Sequence, residues 1–321
     1  MRVRGLSLTL ALLAAPAVAA AQSNPQCTPY NTYAQAENLC NAAVDATHYF
    51  HPLLGLAISG GNPVVGSFKT FGGLGHLSIG IRATAFEASV PDLSYDGSTA
   101  TVPEGDKLPL GAPTIDAGLG LFNGLSNGML SVDLLASVVA VPTNIDNLSV
   151  DPDASTIGDF AYHVGWGARV GVIRQAFPIP AVTVSYMKRE IPTVQFGDVP
   201  GGDNYSYRIG VESKSLRATV GYNMPILSIG VGLGKDTYTG DATIQFDNPD
   251  PSNPGTETIN IGLDQKRTTL FADVGINLGP LKFAGEVGMQ TTNDLKTASD
   301  FEGIDVNEGL KYASAGIRIA F

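Results

Sequence analysis

Long apolar runs are missing from this sequence beyond its first two dozen residues. No later stretch reaches the roughly 18 consecutive apolar residues that a membrane-spanning helix needs, so helical spanning is excluded for residues 22–321. Charge is scarce as well, at 15% of residues, and positive charge is in deficit: 19 Lys and Arg stand against 30 Asp and Glu, a formal net charge of −11. An acidic chain of this kind has no overall field for nucleic acid, which is not an expected partner. Cysteine is nearly absent: Cys27 and Cys40 are the only two. Aspartates and glutamates such as Asp151, Asp241, Asp250 and Asp305 have no calcium-loop spacing, and no cofactor motif occurs. Neither metal nor cofactor is expected. Glycine is plentiful, with 38 residues, in a chain that is 44% hydrophobic. Few charges, many glycines and no long apolar run fit a chain that meets lipid through strands.

The first residues fit export. Arg2 and Arg4 precede an apolar run from Leu6 to Ala15, and Ala19-Ala20-Ala21 is a small-residue cleavage site. This reads as a signal peptide over residues 1–21, cleaved after Ala21. Losing Arg2 and Arg4 takes the net charge from −11 to −13. In an exported chain, Cys27 and Cys40 are expected to form a disulfide.

From residue 75 onward, apolar and polar residues alternate with period two, as they do on a strand with one face against lipid or core. Leu77, Ile79, Ile81, Ala83 and Ala85 alternate with His76, Ser78, Gly80, Arg82 and Thr84. The pattern recurs around Ile115–Leu121, Leu130–Val138, Tyr162–Val172, Val182–Tyr186, Tyr207–Tyr222, Leu227–Leu233, Leu270–Ile276, Leu281–Met289 and Ala313–Phe321. Within Tyr207–Tyr222 the apolar phase changes after Lys214, which reads as a bulge. Short connections near Asn123–Gly128, Gln175–Pro180, Asn223–Pro225 and Gly279-Pro280 alternate with long ones near Pro91–Gly111, Pro142–Asp159, Pro192–Asn204, Lys235–Lys266 and Thr291–Gly309. Short periplasmic turns and long outer loops are the asymmetry of bacterial outer-membrane barrels. Ala242–Phe246 and Thr258–Leu263 also alternate, but each falls short of the about 9–11 residues of a span and reads as a hairpin above the membrane.

The expected fold is all-β: a transmembrane antiparallel up-and-down β-barrel of ten strands over residues 75–321. Residues 22–74 differ. Tyr30–Phe50 is alanine-rich and reads as a helix, so the segment is expected to plug or cap the barrel. Alternatively Leu53–Ser59 and Val64–Phe71 pair across the Gly60-Gly61-Asn62-Pro63 turn, which would make twelve strands.

The parity assigns a charged lumen. Arg82, Arg169, Arg208, Arg217, Lys282 and Arg318 share the inward face with Asp116, Asp133, Glu212, Asp273 and Glu286. The near balance allows two readings, a filled interior of ion pairs or a wet conduit. His163 lies near Asp159 at the outer rim, but no base and nucleophile group together, so no enzymatic activity is expected.

Ser314, Gly316, Ile319 and Phe321 occupy the polar, glycine, apolar and terminal aromatic slots of a pattern that resembles the signal read by the outer-membrane assembly machinery. The resemblance implies that machinery as a partner, with outer-membrane lipid and lipopolysaccharide around the barrel. Asn62-Pro63-Val64 after a helix is similar to the hatch of the fatty-acid transporter family, which has Asn-Pro-Ala there. That resemblance implies a plug. The expected function is transport or passive conductance of an unidentified small solute across the outer membrane. The alternative is a structural or surface-interaction barrel that acts through its long acidic loops.

Overall fold

The computed structural model describes residues 24–126, 128–143, 148–152, 154–291 and 295–321. The expected signal peptide lies outside them. Ten antiparallel strands close into a ring: β1 (Leu77–Pro91), β2 (Glu104–Phe122), β3 (Ser131–Pro142), β4 (Phe160–Ile173), β5 (Ala181–Phe196), β6 (Tyr205–Asn223), β7 (Leu227–Asn248), β8 (Gly255–Leu278), β9 (Leu281–Gln290) and β10 (Leu310–Ala320). Each strand pairs with its sequence neighbours, and β1 pairs with β10 from Ser78↔Ala320 to Ala85↔Ala313. At the level of its lower half the ring has no free edge. The twelve-strand alternative fails because Leu53–Ser59 is helical: α1 runs from Ala34 to Ser59. No helix among the described residues is long and apolar enough to cross a membrane.

The four short turns, 123–126 with 128–130, 174–180, 224–226 and 279–280, share one end of the ring with the start of β1 and with Phe321, whose N–H donates to the Leu77 carbonyl at 2.9 Å. The longer connections share the other end. Above the short-turn end, the outer wall is an apolar belt that includes Ile79, Ile81, Ile115, Leu134, Trp166, Val220, Val231, Leu270, Val287 and Ile317, all exposed. Exposed large apolar side chains over a whole circumference require a nonaqueous surround.

The strands outlast the belt. β7 and β8 stay paired from Leu227↔Ile276 to Asn248↔Gly255, so Ala242–Phe246 and Thr258–Leu263 are their upper ends. In β6 the pleat runs without a slip: Tyr207, Ile209, Val211, Ser213, Ser215, Arg217 and Thr219 are all buried inward. What inverts at Lys214 is polarity, not register. Below that level the outside is lipid-facing and apolar while the inside is polar. Above it the outside is polar and the inside packs an apolar core. This corrects the expected bulge. It also moves Arg208 and Glu212 out of the lumen, since both face outward on the upper wall. Arg208 reaches Asp151 at 3.3 Å, and Glu212 lies 2.6 Å from both Lys188 and Lys214.

That upper core encloses α1. Leu39, Phe50, Leu53 and Leu56 of the helix join Phe86, Ala112, Val139, Ile191, Tyr207, Ile244, Ile261 and Tyr312 in one cluster, drawn from walls on opposite sides of the ring. The helix therefore stands inside the barrel and does not cap it. Each leucine, isoleucine, valine or phenylalanine among them contributes about 1.5–3 kcal/mol on burial. Phe50 meets Phe196 edge-on, with ring centroids 4.1 Å apart. Pro52 removes the N–H that would bond the His48 carbonyl, and Gln265 of β8 donates to that carbonyl instead, at 2.7 Å. Residues 24–33 sit at the long-loop end, where Cys27 and Cys40 are joined with Cα atoms 5.6 Å apart. Asp45 there accepts from the Ala298 and Ser299 amides at 2.8 Å and from Asn24 at 3.1 Å.

One seam is incomplete. β4 and β5 pair only from Trp166↔Lys188 downward. Higher up they part, and the stretch Leu148–Val150 pairs with the end of β5 instead.

Candidate functional site

After Ser59 the chain leaves the helix and descends through the lower lumen as an irregular segment, residues 60–74, before turning into β1. Irregular backbone at membrane depth is tolerated only where protein satisfies its polar groups. The inward charges of the wall do this. At the end of α1, Arg217 donates to the Ser59 carbonyl at 2.8 Å, and Arg82 donates to the Gly60 carbonyl, to which the Thr84 hydroxyl also donates at 3.0 Å. Cations at the last carbonyls of a helix also face the negative end of its dipole. Further down, the Asn62 N–H donates to Glu286 at 2.8 Å and the Gly66 N–H to Asp273 at 2.7 Å. The Phe71 N–H donates to both oxygens of Asp133, at 3.0 and 3.2 Å. Lys282 and Ser228 donate to the Gly66 carbonyl at 2.6 and 2.7 Å, and Arg169 to the Ser67 carbonyl at 3.3 Å.

Direct ion pairs complete the set. Arg169 Nη2 lies 2.7 Å from Asp133, Arg82 Nε 2.8 Å from Asp116, and Arg217 3.4 Å from Asp236. Asp236 also accepts from Thr269 at 2.5 Å and from Gln290 at 2.8 Å. The charges are thus neither a self-contained ladder of pairs nor the lining of an open conduit. They replace water for the backbone of the segment that fills the lumen.

Nine of the eleven sequence-assigned lumen residues are on this inner face. Lys282 and Arg318 come together at the short-turn end, while Arg208 and Glu212 are outside. Three inner charges escaped the sequence reading: Arg189, which lies 3.7 Å from Asp116, Asp236, and Arg267. Continuing the inward parity from Met187 by one step reaches Arg189, and from Gly234 reaches Asp236. Asp236 falls in the stretch read as the Lys235–Lys266 connection, and Arg189 lies just past the strand read as ending at Tyr186.

Shape fits as well as charge. The Phe68 ring sits where Cβ atoms on Gly221 and Gly230 would fall within 2.5 Å of it, and Phe71 does the same over Gly118 at 2.3 Å. Inward glycines hollow the wall to admit the plug. Gly61 (φ +79°) and Gly66 (φ +73°) turn the segment, and a Cβ on Gly66 would meet Ala284 at 2.7 Å. Only glycine takes that combination without strain. Asn62 closes the Asn62-Pro63-Val64 turn by accepting from the Val64 N–H at 3.1 Å.

Higher on the helix, beyond the apolar belt, His51 is fully buried beside Tyr238 and Gly240. Burial, reinforced by His48 one turn earlier, pushes its pKa down from the ordinary value to about 4. His51 is therefore neutral when α1 is docked. Its contribution is complete above pH about 6.5 and is lost as the pH falls towards 4, by roughly 3 kcal/mol at the limit. Hydrogen exchange of residues 34–59 is expected to speed up across that window, and less so in His51→Gln. Asp45 has the opposite sign, because burial raises its pKa. The comparison at equal pH isolates His51, and identical pH profiles for the two proteins would remove it as the titrating group.

At the β4–β5 gap, His163 meets Glu190 at 3.7 Å. No group of three or more metal-ligating side chains occurs among the described residues.

No family model matches the sequence, and no curated protein does either. Solved structures do. The outer-membrane protease OmpT of Escherichia coli is matched over 81% of this chain and 100% of its own, at 11% identity and a TM-score of 0.37. Ail, the attachment invasion locus protein of Yersinia pestis, is matched over 77% and 99%, at 9% identity and 0.29. A mutant of the monoaromatic hydrocarbon channel TodX is matched over 83% and 70%, at 14% and 0.32. Likeness at this level carries no function across. It does overturn one expectation: a protease is among the barrels of this kind, so the lack of a nucleophile and base in the sequence does not exclude catalysis. By its closed ten-strand ring, its lipid-facing belt and its loop asymmetry, the chain is a bacterial outer-membrane β-barrel.

Proposed function

We propose that the protein is a gated passage for small solutes, closed at rest by residues 24–74. The short-turn end faces the periplasm, as in bacterial barrels generally. Outer-membrane lipid and lipopolysaccharide surround the belt. The terminal strand, with Ser314 and Gly316 inward and Ile319 and Phe321 outward, is what the assembly machinery reads.

The observation that carries this reading is how the lower plug is held. A barrel that needed only filling would fill itself with wall side chains, as small barrels do. This wall is hollowed with glycines and spends its charges on the backbone of a separate segment. Hydrogen bonds of this kind are individually modest, about 0.5–1.5 kcal/mol net and up to about 3 to charged groups, so they exchange for water when the segment moves.

A reversible lock tests the reading. The Thr70 and Ser131 hydroxyls are 2.6 Å apart, close enough for a disulfide between Thr70→Cys and Ser131→Cys. In planar bilayers the oxidised protein is expected to stay shut, and reduction to restore openings, with wild type under the same reductant as control. If neither protein conducts at any voltage, the surface-interaction reading replaces this one.

A further inference from the structure

The short-turn mouth contains a cavity of about 540 Å³ between plug residues 67–71 and the ends of β9 and β10. Lys69, Lys282 and Arg318 line it, and no acidic side chain does. That is unexpected in a chain of net charge −11. Two of the cations are forced together: Lys282 and Arg318 are directly opposite in the β9–β10 register. Like charges so placed repel.

No wall carboxylate is in ion-pair contact with Lys282 or Arg318. Every close ion pair among the described residues uses other cations. Of the nearby carboxylates, Asp116 pairs with Arg82, while Asp273 turns its oxygens to the Gly66 and Asn62 nitrogens and acts on the two cations only from a distance. Lys282 finds only neutral oxygens, the Gly66 carbonyl at 2.6 Å and Ser228 Oγ at 3.4 Å. Arg318 Nε and Nη1 and the amide nitrogen of Asn223 are shielded from solvent and have no acceptor. Clustered, partly buried cations without a contacting counter-charge are costly. The missing component is an anion.

We propose that this cavity binds a small oxyanion of the phosphate class from the short-turn side. Arg318 in its lining offers a planar fork that suits a tetrahedral oxyanion, while Lys69 and Lys282 add point charges from the plug and the wall. Because Lys69 belongs to the plug and the other two to the barrel, an anion there bridges the two and holds the plug in place. The site stands on this geometry and does not depend on transport.

The test uses the full chain in lipid-free neutral detergent. Inorganic phosphate is titrated against chloride at matched ionic strength, with binding read by calorimetry and unfolding by heat-modified gel migration. Phosphate is expected to bind and to raise the unfolding temperature. Lys69→Gln with Lys282→Gln is expected to weaken binding by about tenfold or more, whereas Lys235→Gln with Lys266→Gln on the outer wall leaves it unchanged. Should the double variant fail to fold, exposed Lys69→Gln alone must still show weaker binding. Protection by phosphatidylglycerol bilayers, but not by phosphatidylcholine or free phosphate, with the same loss in the variants, would identify a lipid headgroup as the source of the same chemistry. No binding by either source, or equal binding in wild type and the lysine variants, overturns the site.

Discussion

Asp133→Ala is expected to be the most destabilising single change in the lumen. The carboxylate is fully buried. It accepts from Arg169 at 2.7 and 3.0 Å and from the Phe71 amide at 3.0 and 3.2 Å. Removing it strands the guanidinium, which costs about 3–5 kcal/mol for a broken buried pair, and orphans a backbone N–H, at about 1–3 kcal/mol more. Arg169 also lies over the Phe71 ring, 4.6 Å from its centroid, so plug and wall loosen together. Urea unfolding of the folded band on gels measures the loss. The double change Asp133→Ala with Arg169→Ala should recover part of it, because the uncompensated charge is gone. A loss below about 1 kcal/mol for Asp133→Ala would show that water replaces the carboxylate easily, and the lumen would then count as wet.

Deleting residues 27–71 is expected to have the largest functional effect. The ten-strand ring uses none of these residues in its pairing, so the barrel should still insert and show heat-modified migration. Its interior would become a water-filled channel lined by Arg82, Arg169, Arg189, Arg217, Lys282 and Arg318 against Asp116, Asp133, Asp236, Asp273 and Glu286. A steady conductance absent from the intact chain should appear in planar bilayers. With these six cations and Arg267 higher on the same face against five carboxylates, it should prefer anions modestly. A folded, inserted deletion variant with no conductance would mean that the wall itself closes the lumen, and the transport reading would fall.

The belt was legible in the sequence because lipid enforces it: wherever the outer wall meets hydrocarbon, period-two alternation is strict, and Ile79, Val231 or Leu270 declare their face. The ten strands followed from that and from the loop lengths. Above the belt the constraint reverses. Water outside and a helix inside impose the same alternation with opposite polarity, so parity anchored on apolar residues placed Arg208 and Glu212 on the wrong face while the strand itself never slipped. The helix runs nine residues past its expected end at Phe50, through Pro52, and nothing local reveals that Gln265, over two hundred residues away, supplies the bond that proline cannot. The inner charges were mostly legible as residues, but not as a solvent for backbone, since their partners are peptide groups that carry no sequence signature.

The path of the plug also constrains the order of construction. Asn24 is at the long-loop end and Leu77 at the short-turn end, so the chain crosses the whole lumen before it begins the wall. A helix with side chains is about 10–12 Å across, and here a disulfide-closed loop sits at its far end. Pushing both through a finished ten-strand ring would mean stripping and remaking every contact along the way. The β1–β10 seam, whose first strand follows directly from the plug, offers the simpler order: the sheet curls around a plug already lying on its inner face, and the eight residue pairs from Ser78↔Ala320 to Ala85↔Ala313 fasten last. In this order the stopper acts as a mandrel on which the barrel is wound.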